Sequence, residues 1–149
     1  MTDTYRYTIK TIRVKLAVQE QPNVPLGSPH DAEVLLRTIY KDLDADQEHF
    51  CLLVLNQRNR VSGFKIIFSG GQSEALIDMK VLFRNILLMG GAGIIIAHNH
   101  PSGDPKASAE DIVLTGKIKQ AAKLLDIELL DHIILGDGKI SSLKEEGHI

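Results

Sequence analysis

One cysteine is present among 149 residues, so neither a disulfide framework nor a thiolate metal cage is available to this chain. That residue, Cys51, lies in the apolar run Phe50-Cys51-Leu52-Leu53-Val54-Leu55 and reads as a small buried hydrophobe. A reducing compartment fits. No apolar stretch approaches a membrane span, and Met1-Thr2-Asp3-Thr4 opens polar, without a signal-peptide core. The expectation is a cytoplasmic, soluble protein with no membrane partner. A large charge of one sign is also lacking: the formal net charge is −2. Strong nonspecific nucleic-acid binding needs a basic face, and Arg58-Arg60 and Lys117-Lys119-Lys123 are modest groupings that read as solvated. Internal repeats and low-complexity segments are missing too.

What is present is an ordinary globular balance, 44% hydrophobic and 24% charged, in a length that suits one core. At its centre stands His98-Asn99-His100-Pro101-Ser102-Gly103-Asp104-Pro105-Lys106-Ala107-Ser108-Ala109-Glu110-Asp111. The strand-forming run from Gly93 to Ala97 leads into His98, and residues two apart on a strand share a face, so His98 and His100 point the same way. A turn follows, written in Pro101, Gly103 and Pro105. A helical apolar rhythm then appears at Leu114, Ile118, Ala121, Ala122 and Leu125. Ser108 reads as the helix N-cap and Asp111 as its N3 residue, near the positive end of the helix dipole.

Alone, Ser-x-x-Asp reads as a capping arrangement, and paired histidines are common on surface strands. Together they offer two imidazoles and a carboxylate to one metal ion. Three protein ligands with an open fourth position make a catalytic zinc arrangement, although two histidines and a carboxylate also suit iron or manganese. Hydrolysis at such a site benefits from a carboxylate that carries a proton, and Glu48, just before the apolar strand from His49 to Leu55, is the candidate.

These residues resemble a known family. Glu48, then His98-x-His100, seven residues and Ser108-x-x-Asp111, is similar to the JAMM (MPN/JAB) metalloprotease motif. The flanking text from His98 to Pro105, with Gln47-Glu48-His49-Phe50, Leu130-Asp131-His132-Ile133-Ile134 and Gly136-Asp137-Gly138, looks like the bacterial RadC branch. The resemblance runs from about Ser28 to the C-terminus. It implies that His98, His100 and Asp111 bind one Zn2+ per chain, that Glu48 is general base and then acid, and that Ser108 helps hold the oxyanion. It further implies a JAMM/cytidine-deaminase-like three-layer sandwich. Gly70-Gly71 and Asp78-Met79-Lys80 stand where the family more typically shows Gly-Thr and Pro-Arg, which bears on substrate contacts. RadC proteins also carry a helical N-terminal region for which this length leaves no room.

The remaining elements follow from pattern. Residues 1–27 are expected to form a strand and a linker, and residues 28–149 the RadC-like JAB/MPN domain. Tyr5, Tyr7 and Ile9 alternate on one parity and Ile12, Val14 and Leu16 on the other, which a bulge near Lys10-Thr11 reconciles. The segment from Gln19 to Gly27 reads as an extended linker. Ser28-Pro29-His30-Asp31 starts a helix that buries Leu35, Leu36, Ile39 and Tyr40, with His30 on the surface. A hairpin is expected from His49–Leu55 and Val61–Phe68, a helix from Ser73 to Met89, and strands at Glu128–Leu135 and Lys139–Leu143.

The order β-α-β-β-α-β-α-β-β makes an α/β fold, a mixed sheet flanked by helices. His132 and Asp131 have two readings, as residues that orient a ligand from behind or as hydrogen-bonded structural groups. Function likewise has two readings. One is a zinc metallopeptidase or isopeptidase acting on a peptide or protein. The other is a DNA repair or recombination accessory, a nuclease or a nucleic-acid-binding module that retains the metal site. A zinc deaminase is disfavoured because the chain lacks a Pro-Cys-x-x-Cys helix. Oligomeric state is not written in the sequence.

Overall fold

The computed structural model of the protein describes residues 10–13, 25–70 and 77–149. A five-stranded mixed sheet of order β2-β1-β3-β4-β5 forms its middle layer. The hairpin strands β1 (Glu48–Leu55) and β2 (Val61–Gly70) pair antiparallel, and β1 is also antiparallel to β3 (Gly93–Asn99). β4 (Glu128–Leu135) lies parallel to β3, and β5 (Ile140–Ser142) closes the far edge antiparallel to β4. Parallel neighbours need a crossover connection. Helix α3 (Ala109–Leu124) supplies it, so the loop leaving β3 must run into the start of α3.

Strand alternation sends side chains to two cores. On one face Phe50, Leu52 and Val54 meet Ile94, Ile96 and residues of α2 (Met79–Leu88) and α3. On the other, Cys51, Leu53 and Leu55 meet Ile95, Ala97, Ile133 and Leu135 beneath α1 (Pro29–Tyr40). The middle strands β1 and β3 are buried on both faces and therefore read as continuous apolar runs. Each fully buried leucine or isoleucine stabilises the fold by roughly 1.5–3 kcal/mol. Burial pushes the Cys51 thiol up to about 12, consistent with a hydrophobe rather than a nucleophile.

Helix α1 begins as the sequence indicates, with Ser28 at the N-cap accepting from the Asp31 amide and Pro29 in the first turn. Leu36 is fully buried, whereas Leu35, Ile39 and Tyr40 pack partly buried against the second core. His30 is surface-exposed beside Glu33.

Several boundaries differ from the sequence reading. α2 starts at Met79, because the Asp78 side chain caps it by accepting from the Lys80 amide; Ser73 lies outside the described residues. Leu26 is no linker residue. Its side chain is buried in the second core and its N–H bonds the Asn59 carbonyl, beside a bridge between Pro25 and Arg60. Tyr5, Tyr7, Ile9, Val14, Leu16 and residues 19–24 lie outside the described residues, while 10–13 carry no strand and leave Ile12 exposed. Leu125 is the C-cap of α3 and is exposed, since the helix ends one residue before it. No helix among the described residues is long and apolar enough to cross a membrane.

Candidate metal centre

The site lies where β3 ends, α3 begins and β1 starts. His98 points from β3 into the first core and is stacked on Phe50, its register partner on β1, at a ring separation of 6.2 Å. His100 follows the strand. Its N–H bonds the Leu135 carbonyl, and its Nδ1 is 2.8 Å from the Asp104 carbonyl. Asp111 is brought in by helix geometry: the Ser108 hydroxyl accepts from the Asp111 amide, and Asp111 Oδ2 accepts from the Ser108 amide at 2.7 Å. This reciprocal capping box fixes the carboxylate in the first turn.

The loop between His100 and Ser108 is held against the β4–β5 turn, where the Asp137 N–H bonds the Gly103 carbonyl at 2.8 Å. Glycine is required at position 136 for this approach. A Cβ there would lie 2.5 Å from the Gly103 carbonyl oxygen and 2.9 Å from the Pro105 nitrogen, both backbone atoms. Gly103 itself sits at φ +85°, a region that side chains rarely adopt.

His98, His100 and Asp111 converge. Nε2 of His98 is 3.0 Å from Nε2 of His100 and 2.9 Å from Asp111 Oδ1, and His100 Nε2 is 3.5 Å from Asp111 Oδ2. One donor atom from each residue falls within 4.8 Å of the others, so this group could hold a metal ion. Glu48, the first residue of β1, places Oε1 3.9 Å from His98 Nε2 and keeps 14% of its side chain exposed. That gap admits a bridging water.

The protons on the rings can be traced. A carbonyl only accepts, so the contact with Asp104 puts the His100 proton on Nδ1 and leaves Nε2 a lone pair. Thr115 Oγ1 donates to the Asp111 carbonyl at 2.6 Å and so accepts from His132 Nδ1, also at 2.6 Å. Burial, and next the charge of His98, push the His132 pKa well down; neutral His132 therefore offers a bare Nε2 to His98 Nδ1 at 2.8 Å. His98 Nε2 is then bare as well. Two imidazole lone pairs and a carboxylate face one another at hydrogen-bond distance, a donor set that fits a divalent cation. In the metal-free protein the Asp111 hydrogen bond raises the His100 pKa, so the same field that favours a cation favours a proton there.

Of the two residues with open readings, His132 touches the His98 ring and Asp131 does not touch the group. Asp131 instead accepts from the His132 and Lys144 amides and from the Ser142 hydroxyl, tying β4 to the C-terminal turn. Burial raises the Asp131 pKa against these bonds, which lower it.

Three further residues escaped the sequence reading. Thr115 is four residues after Asp111, and that helical spacing was the available signal. Tyr40 donates its hydroxyl to the His49 carbonyl at 2.6 Å. Asn99 continues the ladder between β3 and β1 with its side chain: Oδ1 accepts from the His49 amide at 2.7 Å and Nδ2 donates to the Gln47 carbonyl at 2.8 Å. These bonds straddle Glu48. Asn99→Ala, which removes both bonds, is expected to speed amide hydrogen exchange at His49 by about tenfold, the equivalent of roughly 1.4 kcal/mol at 25 °C and of one net hydrogen bond. Unchanged exchange would show that the clamp carries no load.

Comparison with known proteins points to one family. The RadC-like JAB domain profile matches residues 26–148, a span that contains the whole group. A UPF0758 protein of Shouchella clausii is 44% identical over 122 residues, 82% of this chain and 52% of that protein. Its counterpart in Desulforamulus reducens is 37% identical over 149 residues, covering 95% of this chain and 65% of that protein. A third, from Methanosarcina mazei, is 37% identical over 130 residues, 87% of this chain and 56% of that protein. The chain thus spans about half to two thirds of the length of these curated relatives. With the profile covering most of the chain and the fold being the mixed-sheet sandwich of JAB type, the chain belongs to the RadC family through its RadC-like JAB domain.

Proposed function

We propose that this domain is a zinc-dependent peptidase or isopeptidase that hydrolyses an amide bond of a peptide or protein. The observation that carries the reading is the pair of Nε2 atoms 3.0 Å apart, closed by a buried carboxylate and flanked by the partly exposed acid Glu48. His98, His100 and Asp111 would hold the ion; a bound Zn2+ supplies Lewis acidity and acidifies a water to near neutrality.

The chain's own groups carry the rest. The Glu48 carboxylate accepts the proton of the attacking water and returns it to the departing amine. Asn99 holds the backbone on either side of Glu48, so the carboxylate enters from a fixed strand end. The Ser108 hydroxyl, oriented by the Asp111 amide, is assigned to the oxyanion that develops on the carbonyl. The nucleic-acid role is the weaker reading for this domain, because a net charge of −2 supplies little attraction for phosphates.

Elemental analysis of the purified protein, with a peptide-library cleavage assay, tests the reading. Expected are one zinc per chain and cleavage that stops on chelation and returns with Zn2+. A protein that neither copurifies with metal nor rebinds it, and whose His98→Ala variant is indistinguishable from wild type, would sink it.

A further inference from the structure

A hydrogen-bonded circuit behind the centre has a consequence for how its ligands are set. Thr115 and His132 are both fully buried, on α3 and β4. From the Asp111 carbonyl the circuit runs through the Thr115 hydroxyl to His132 Nδ1, across that ring, and from His132 Nε2 to His98 Nδ1, in links of 2.6, 2.6 and 2.8 Å. At its two ends His98 Nε2 and Asp111 Oδ1 stand 2.9 Å apart, the two donor atoms that would hold the ion. We propose that Thr115 and His132 are positioning residues, which lock the proton of His98 on Nδ1 and couple the ligand on β3 to the ligand on α3.

The direction of every bond follows from one group. A hydroxyl has a single proton, and if Thr115 turned it toward His132, two oxygens would face each other at 2.6 Å with nothing between them. Thr115 therefore donates to Asp111 and accepts from His132. The 2.8 Å contact between His132 Nε2 and His98 Nδ1 has room for one proton; on His132 it would make that fully buried ring a cation with no carboxylate in hydrogen-bond contact among the described residues, so it sits on His98. The tautomer of a ligand on β3 is thus set by a threonine on α3. This inference rests on the metal-site reading for its purpose, but the tautomers can be observed without any metal.

Removing the hydroxyl reverses the circuit. In Thr115→Val the His132 Nδ1–H loses its acceptor, and the ring relaxes to the Nε2–H form. That proton then faces His98 Nδ1, which drives the His98 proton to Nε2, into the space meant for the ion. Groups that hold a ligand's second nitrogen typically change metal affinity by about 10- to 100-fold when removed. Valine matches threonine in shape, so the fold has no steric reason to change.

Two measurements decide it. Long-range 1H–15N imidazole spectra of the metal-free protein, at about pH 8, are expected to show His98 and His132 both protonated on Nδ1, and both moved to Nε2 in Thr115→Val. Competition of Zn2+ against a chromophoric chelator is expected to show affinity lowered by about 10- to 100-fold in Thr115→Val, and restored to within a few-fold of wild type in Thr115→Ser. An Nε2–H tautomer of either ring in wild type overturns the proposal, as does wild-type zinc affinity in Thr115→Val. Wild type that shows both Nδ1–H tautomers, switched by valine, yet binds no Zn2+ would uphold the circuit and overturn the metal reading instead.

Discussion

Glu48→Gln is expected to lower peptide hydrolysis by about a hundredfold to ten-thousandfold, the usual contribution of a positioned general acid–base group, while bound zinc stays near one per chain. Glutamine preserves the size of the side chain and cannot take a proton from water. The separation of effects follows from the geometry. Glu48 Oε1 stands 3.9 Å from His98 Nε2, too far for a direct hydrogen bond, so His98, His100 and Asp111 keep their arrangement without its charge. Its strand end is held by main-chain bonds to Asn99, which the substitution leaves alone. Steady-state cleavage and metal content on one preparation check this. Retained activity would remove Glu48 from the mechanism, and loss of metal would make it a ligand.

Asp111→Asn should do the opposite and release the metal. The carboxylate is fully buried between the two bare nitrogens and is the only anion within hydrogen-bond reach of both among the described residues. Since partners behind a ligand already alter affinity by about 10- to 100-fold, loss of a charged ligand is expected to weaken Zn2+ by on the order of a hundredfold or more in chelator competition. The helix should survive, because an amide oxygen can still accept from the Ser108 amide and the Ser108 cap on the Asp111 amide is untouched. Unfolding of the variant before any metal is added would instead assign Asp111 a role in stability first.

The metal-free protein offers a pH signature of the same residue. His100 has its pKa raised, chiefly by the Asp111 hydrogen bond, so its folded value exceeds the unfolded one of about 6.5. Such a group stabilises the fold fully below about pH 6.5, and the contribution is lost as pH rises through the folded value. The asparagine variant lacks that cause. Its stability relative to metal-free wild type should therefore recover between about pH 6.5 and the raised value.

Much of the site was legible because its residues are local. His98 and His100 share a strand parity, and Ser108 and Asp111 share the first turn of a helix; both relations are periodicities of 2 and 3.6 that a sequence displays directly. The capping box fixed the helix start to the residue. The hairpin was equally plain, since Asn56 to Arg60 is a polar break between two β-rich runs. The start of α2 was less so: the run before Asp78 is apolar enough to extend a helix, and only the bond from Asp78 to the Lys80 amide marks its first turn. Leu26 looked like linker because nothing in its neighbourhood shows which surface lies above it.

The sequence by itself determined the ligand types, their order, and the elements that carry them, because strand alternation and helix capping act over a few residues. Only the tertiary structure decided which distant groups stand behind them. β4 takes an extra residue at Leu130 between the pairs Ile94 with Leu129 and Ile95 with Asp131, and that shift sets His132, rather than Asp131, on the face of His98. The parity of a strand can be read locally, but a bulge that reverses it is fixed by pairing with β3 and by the burial of both faces. Thr115 meets His132 across 17 residues, His132 meets His98 across 34 and Asn99 reaches Gln47 across 52, separations that no local period encodes. The chemistry of the site was thus written along the chain, whereas its proton arrangement was set by packing.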